Sequence, residues 1–191
     1  PSAHLAIVDI VLGVADILPI RGFGYLVPRN ATNNSDEILG VIFDSDAVPN
    51  QSQRLTKLTV MMGGPYWRHR SSFPNEDDVK ERALRALHSQ LGLSLLTLTS
   101  HLENIYARVM TDTIPQYLVG HPQRMAELKA AIKMHPQWRN RLSLLGYSYG
   151  GVGVNDCIAN AMDTCDAICN YEQNRSPLSD ISGLQPALFP G

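Results

Sequence analysis

The chain has 191 residues, of which 44% are hydrophobic and 18% are charged, and its formal net charge is -2. This length and composition are typical of a globular protein with a sizeable core. The 16 basic and 18 acidic residues form no long like-charged blocks, which argues against a nucleic-acid-binding surface, and no apolar run reaches the roughly 20 residues that a membrane-spanning helix needs.

Apolar runs in the first third of the chain predict a sheet. The first strand is predicted at 5–13 (LAIVDIVLG), and its nearly continuous apolar character predicts burial on both faces. Further strands are predicted at 23–28, 38–45 and 57–64, with loops rich in Asn, Ser, Asp and Pro between them. Together these segments predict an antiparallel or mixed sheet of three or four strands.

The rest of the chain alternates helices with strands. A helix is predicted at 74–93, because Asn75 is a good N-cap residue and Gly92 follows the last turn. The remaining predicted elements are a strand at 101–110, a helix at 122–135, a short buried strand at 142–146 and a helix that starts near Val154. This order predicts the α/β class (mixed α+β), without a complete nucleotide-binding βαβ unit at the start.

Three cysteines, Cys157, Cys165 and Cys169, fall in the last predicted helix. Their spacing matches no disulfide framework or zinc pattern, so they are predicted to be small buried apolar residues and no metal is expected.

The run GYSYGGVGVNDCI, residues 146–158, places three glycines just before a helix. Free backbone N–H groups and the positive end of the helix dipole could hold an electron-rich oxygen or a phosphate there, and glycines would let the backbone approach a flat ligand. The spacing does not match the dinucleotide fingerprint G-x-G-x-x-G. A tight strand-to-helix turn, capped by Asn155 or Asp156, is the alternative interpretation.

Five segments of the chain, taken in order, resemble one enzyme family. They are GFGYLVP, ILGVIFDS, TVMMGG, IPQYLVGH and GYSYGGVGVNDCI. They resemble the C-terminal part of the protoporphyrinogen oxidases, flavoenzymes of haem biosynthesis in the flavin amine oxidase superfamily. The resemblance runs from about Ala6 to about Asn170. It implies FAD-dependent oxidation of protoporphyrinogen IX to protoporphyrin IX, with oxygen as the electron acceptor.

The resemblance also implies site residues. The positions that match the FAD contacts of the family are Val109, Val152, Gly153 and Val154. The positions that match its substrate contacts are Phe23, Gly24, Leu26, Leu39 and Met61. No catalytic acid or base is assigned, and His121 is expected to be a structural hydrogen-bonding residue.

The domain organisation follows from the same resemblance. Residues 1–120 would form a substrate-binding part with a mixed sheet, 121–175 the last strand and helix of the FAD-binding domain, and 176–191 a flexible tail. The N-terminal Rossmann unit and the membrane-attachment segment of the family have no counterpart here. The chain is therefore expected to be a C-terminal portion that is inactive by itself, from an enzyme of the mitochondrial inner membrane that could form a homodimer.

Two other functions stay open. One is a different flavin-dependent amine oxidase or desaturase, although an amine oxidase would be expected to place aromatic residues where this chain has apolar ones. The other is a non-catalytic piece with a role in folding or assembly. No Ser-His-Asp, paired-carboxylate or HExxH arrangement points to another reaction.

Overall fold

The computed structural model of the protein describes residues 1–48, 54–174 and 182–184. Its strands are β1 Ser2–Leu12, β2 Gly24–Leu26, β3 Ile38–Ile42, β4 Thr56–Gly63 and β5 Leu102–Pro115. Its α-helices are α1 Asp44–Ala47, α2 Glu76–Leu91, α3 Leu95–Ser100, α4 His121–Met134 and α5 Val154–Asn174. The predicted α/β class, of the mixed α+β kind, is confirmed.

The strands form one sheet in the order β2-β3-β4-β1-β5. The pairs β1–β4, β2–β3 and β3–β4 are antiparallel, with Leu5 opposite Gly63 at one end of the β1–β4 pair and Leu12 opposite Thr56 at the other. The sheet is therefore antiparallel, which was one of the two predicted possibilities, and it is not mixed. It has five strands, where three or four were predicted, because β5 joins it at the edge beside β1.

Strand β1 is mostly buried on one face, whereas most of its other face is exposed or half-buried. Val8 and Ile10 are fully buried, whereas Asp9 between them is exposed and Ile7 is half-buried. The prediction of burial on both faces was wrong, because an antiparallel strand with one uncovered face alternates core-facing and outward-facing side chains.

Helix α2 packs on the buried face of the sheet. Val79, Ala83 and Leu87 of this helix belong to the same buried cluster as the inward side chains of β1, β3 and β4. The Asn75 side chain accepts hydrogen bonds from two first-turn N–H groups, and Gly92 ends the helix in a left-handed conformation with φ 71°. Both predicted helix signals are confirmed.

Glu37 connects the start of β3 to the elements beneath the sheet. Its largely buried carboxylate accepts hydrogen bonds from the Trp67 indole N–H at 2.9 Å and from Arg82 at 3.0 Å, and it also pairs with Arg70. Its φ of 61° is unusual for a residue other than glycine. The β3–β4 register shifts directly after this residue, so the contacts of Glu37 stabilise an irregular strand start.

The C-terminal part of the chain contains α4 and α5, as predicted. Gly120, with φ 86°, precedes α4. The strand predicted at 142–146 was wrong: among the described residues this segment is not a strand, and Leu144 N–H donates one backbone hydrogen bond to Ser182 O at 2.8 Å. A strand requires a ladder of such bonds to a neighbour.

The cysteines of α5 are all free thiols. Cys165 and Cys169 are exposed and Cys157 is half-buried, so the prediction that all three are buried was wrong. Cys165 and Cys169 lie on turns of α5 that other described residues leave exposed, whereas the Cys157 thiol lies 3.7 Å from the Gly151 carbonyl oxygen. No group of three or more metal-ligating side chains is found among the described residues.

The chain divides into two compact units, Ser2–Thr113 and Ile114–Gly191, with Pro1 grouped in the second. The predicted functional division at 120/121 remains a prediction, and the predicted tail 176–191 lies outside the described residues apart from 182–184. None of the helices that the structure describes has both the length and the apolar character of a membrane span.

Candidate functional site

The outward face of the sheet carries an apolar row that crosses four strands. Leu26 lies opposite Gly40, Gly40 opposite Met61, and Met61 opposite Ile7. Residues that lie directly opposite each other on neighbouring strands point to the same face. The row is therefore one continuous strip on the face that α2 does not cover.

Two glycines shape this strip. A Cβ at Gly40 would lie 2.5 Å from the Tyr25 carbonyl oxygen and 3.0 Å from Leu26 Cδ2, so the Leu26 side chain lies over Gly40. Gly24, with φ 141°, leaves no room for a Cβ against the Val41 backbone. Glycine at both positions lets β2 approach β3 closely, and Leu26 remains 81% exposed.

The structure brings most of the predicted substrate residues to this face. Gly24, Leu26 and Met61 occupy outward positions in the register of β2, β3 and β4. Phe23 adjoins them and is 71% exposed. Leu39 is half-buried at the register shift of β3. It is the one predicted substrate residue of β3 and β4 that has no directly opposite partner in the β3–β4 pair.

A polar cluster lies on the same face, one row along. Thr59 lies opposite Asp9, and its hydroxyl is 2.9 Å from both Asp9 Oδ1 and Asp44 Oδ2. Burial raises the pKa of Asp44, and the nearby charge of Asp9 adds to the increase. The single hydroxyl proton can bond one carboxylate at a time. This cluster was not predicted from the sequence. The available indication was a polar residue within each of two apolar strands, Asp9 in β1 and Thr59 in β4.

In the C-terminal unit, the loop of the glycine run is held by Tyr117. The Gly151 N–H donates to the Tyr117 hydroxyl oxygen at 2.9 Å, and that hydroxyl donates to the Tyr147 carbonyl at 2.5 Å. The Tyr117 ring stacks on the His121 ring with centroids 3.9 Å apart. The segments IPQYLVGH and GYSYGGVGVNDCI therefore meet at one hydroxyl group.

His121 has the structural role that was predicted. It is buried, and its Nε2 lies 3.3 Å from the Tyr149 carbonyl oxygen, which can only accept a hydrogen bond. Sequence reasoning did not single out Tyr117. Its presence in IPQYLVGH was the available signal, but a hydrogen bond to a residue 34 positions away cannot be inferred from local sequence.

Gly150 and Gly151 lie close to side chains of the helix that follows them, and the contact at Gly151 leaves no room for a Cβ. A Cβ at Gly150 would lie 2.5 Å from Asn160 Nδ2, and a Cβ at Gly151, where φ is 152°, would lie 2.5 Å from Asp156 Cβ. These two glycines let the loop lie against its own helix. The structure thus supports the tight-turn interpretation for them.

Gly153 is the N-cap residue of α5. Its carbonyl accepts the first helical hydrogen bond, from Cys157 N–H at 3.0 Å, and its N–H donates to Asp156 Oδ2 at 3.2 Å. Of the two predicted caps, Asp156 therefore makes the bond, as the third residue of a capping box does.

The predicted cofactor residues lie in two places. Val152 and Val154 are 50% and 76% exposed and flank Gly153 at the start of α5. Two exposed apolar side chains beside the positive end of a helix of 21 residues fit a flat aromatic group with an electron-rich oxygen, such as a flavin ring. Val109 lies on β5, half-buried against the sheet core in the other unit.

Comparison with solved structures defines the class of fold. The crystal structure of a candidate protoporphyrinogen oxidase from Exiguobacterium sp. 255-15 matches with a TM-score of 0.67 and 23% identity, over 87% of this chain and 34% of that one. The chain therefore has an α/β fold that also occurs within that longer protein.

Comparison with curated proteins names the relatives. The protoporphyrinogen oxidase of Schizosaccharomyces pombe is 35% identical over 179 residues, or 92% of this chain, and that of Homo sapiens is 33% identical over 162 residues, or 82%. The resemblance to protoporphyrinogen oxidases is confirmed. The chain spans about a third of the length of these relatives, 34% and 32% respectively. No family model matches the chain.

Proposed function

We propose that the chain supplies a porphyrinogen-binding sheet and a flavin-contacting loop to a protoporphyrinogen oxidase. The reaction is the FAD-dependent oxidation of protoporphyrinogen IX to protoporphyrin IX in haem biosynthesis, with oxygen as acceptor. The observation that carries the proposal is the 35% identity to a protein of that name over 92% of the chain.

The apolar strip on the outward face is the substrate side of the proposal. A porphyrinogen is a broad and mostly apolar ring, and Leu26, Met61 and Ile7 present side chains in one row across four strands. Contact between two such surfaces is favourable because it removes apolar area from water. Phe23 extends the exposed apolar surface beside Gly24, and Leu39 completes the proposed set.

The start of α5 is the cofactor side of the proposal. FAD, when bound, supplies the acceptor for the electrons that the substrate loses. Val152 and Val154 would pack against its ring, and the N–H groups of the first helical turn after Gly153 would face its electron-rich oxygen. Val109 is the fourth proposed contact, on the basis of the family resemblance.

The resemblance extends the proposal to the whole protein. Residues 1–120 would be the substrate-binding part and 121–175 a segment of the FAD-binding domain. The protein would attach to the surface of the mitochondrial inner membrane, use oxygen and form a homodimer.

Bound flavin tests the proposal against a non-catalytic role. A chimera in which this chain replaces the matching segment of the fission-yeast relative should purify as a yellow protein with a flavin-to-protein ratio close to that of the parent enzyme. A colourless chimera that is folded by circular dichroism would contradict the proposal and favour a non-catalytic piece.

Two matched variants test the substrate surface. Met61→Asp should keep the flavin but raise the KM for protoporphyrinogen, because it buries an unpaired carboxylate beside an apolar ring. Val11→Asp is the control, since Val11 is a half-buried residue on the same face, farther along β1 and opposite Lys57. Equal changes in KM for the two variants would show that the apolar strip is not part of the substrate site. If Met61→Asp leaves the KM for porphyrinogen unchanged and the chimera efficiently oxidises an amine or a carotenoid, the alternative flavoenzyme is favoured.

A further inference from the structure

The Tyr117 hydroxyl closes the turn that precedes α5. It accepts a hydrogen bond from Gly151 N–H at 2.9 Å and donates one to the Tyr147 carbonyl at 2.5 Å. Burial raises the pKa of Tyr117, so its hydroxyl keeps its proton at neutral pH and remains able to donate. One side-chain oxygen thus joins two backbone groups of the loop.

The ring of Tyr117 is itself held in place. It stacks on His121 with ring centroids 3.9 Å apart and an interplanar angle of 8°. His121 is the first residue of α4, is buried and bonds the Tyr149 carbonyl at 3.3 Å. The two side chains therefore hold the loop at alternate residues, 147, 149 and 151, from a fixed point at the start of α4.

We propose that Tyr117 is a positioning residue for the flavin-contacting segment Val152–Val154. Gly151 directly precedes this segment, and glycine has no side chain that restricts its own backbone. The hydroxyl of Tyr117 fixes the orientation of the peptide group that Gly151 would otherwise leave free. The link to the flavin rests on the proposed function, whereas the hydrogen bond that carries it does not.

The first arm of the test uses the 191-residue chain without flavin. Tyr117→Phe keeps the stacked ring and removes only the hydroxyl, so Gly151 amide exchange should become about two- to tenfold faster, as expected for the loss of one neutral hydrogen bond. The control is Tyr106→Phe, an exposed tyrosine of β5 whose hydroxyl has no hydrogen bond among the described residues. Unchanged Gly151 exchange in Tyr117→Phe overturns the inference. An equal increase throughout α5 also overturns it, since the hydroxyl would then stabilise the unit in general.

The second arm measures the midpoint potential of the flavin in the chimera. A loosened loop should stabilise the reduced, more negatively charged flavin less well, so Tyr117→Phe should shift the potential to more negative values while Tyr106→Phe should not. A tenfold loss of preference for the reduced form corresponds to about 30 mV for a two-electron couple. Equal potentials in both variants and the parent chimera overturn the inference and leave the proposed function in place. A parent chimera without flavin overturns the proposed function, and the exchange arm still decides whether the hydroxyl holds the loop.

Discussion

Gly151→Ala should destabilise the C-terminal unit much more than Gly153→Ala, although the two glycines are two residues apart. Gly151 has a φ of 152°, and a Cβ there would lie 2.5 Å from Asp156 Cβ and 2.7 Å from the carboxyl carbon of the same side chain. The nearest atom to a Cβ at Gly153 would be Asp156 Oδ2, at 2.9 Å. That oxygen is the end of an exposed side chain that can rotate away.

The contacts set the expected magnitudes. Backbone strain at a conformation that only glycine adopts easily costs about 1–3 kcal/mol, and forcing a methyl group into an occupied space costs about 1–3 kcal/mol more. Gly151→Ala should therefore lower the free energy of unfolding by about 2–6 kcal/mol. Gly153→Ala exchanges a tolerated N-cap residue for a poor one and weakens one exposed hydrogen bond, at a cost of about 1 kcal/mol.

Amide exchange in peptides from α5 measures this difference. Exchange reports local opening free energies, so it follows the C-terminal unit separately from the sheet. The α5 amides should lose much more protection in Gly151→Ala than in Gly153→Ala, and β1 and β4 in the other unit serve as the internal control. Equal loss of protection in the two variants would refute the claim that position 151 requires glycine because the loop packs closely against α5.

Three further predictions concern the sheet unit. In the chimera, Leu26→Asp should raise the KM for protoporphyrinogen with unchanged flavin content; loss of flavin would instead place Leu26 at the cofactor site. Glu37→Gln should lower the free energy of unfolding by about 2–4 kcal/mol in urea titrations, because two arginines lose a largely buried carboxylate; a loss no larger than that of the exposed Asp77→Asn would contradict this. Burial raises the pKa of Asp44 above its ordinary 3.8, so the contribution of its carboxyl to stability is fully present below 3.8 and decreases as the pH rises through the raised pKa. The stability of the wild type relative to Asp44→Asn should thus decrease from acidic to neutral pH, and an increase would show that the assigned direction is wrong.

The parts of the fold that could be predicted from sequence are set by local interactions. The limits of α2 followed from Asn75 and Gly92, because both end signals act within one turn of the helix. The segment 142–146 failed as a strand because strand formation depends on a partner, which its own apolar residues do not supply.

The site depended on contacts between distant residues. The row that contains Leu26 and Met61 requires the register of four strands, including the irregular start of β3, and no single segment encodes that register. The close approach of the Asn160 side chain to Gly150 could not be predicted, because it depends on how α5 packs against the preceding loop. The family resemblance selected plausible positions, and the structure shows which of them share a surface.

The measurement that most directly tests the central claim is the growth of porphyrin fluorescence when the chimera with the fission-yeast relative is supplied with FAD and protoporphyrinogen IX. We expect fluorescence to increase at a rate that depends on the amount of chimera, exceeds spontaneous oxidation and falls sharply in Met61→Asp. A folded, flavin-bound chimera that produces no more porphyrin than buffer, beside an active parent enzyme, would contradict the claim that this chain builds part of a protoporphyrinogen oxidase.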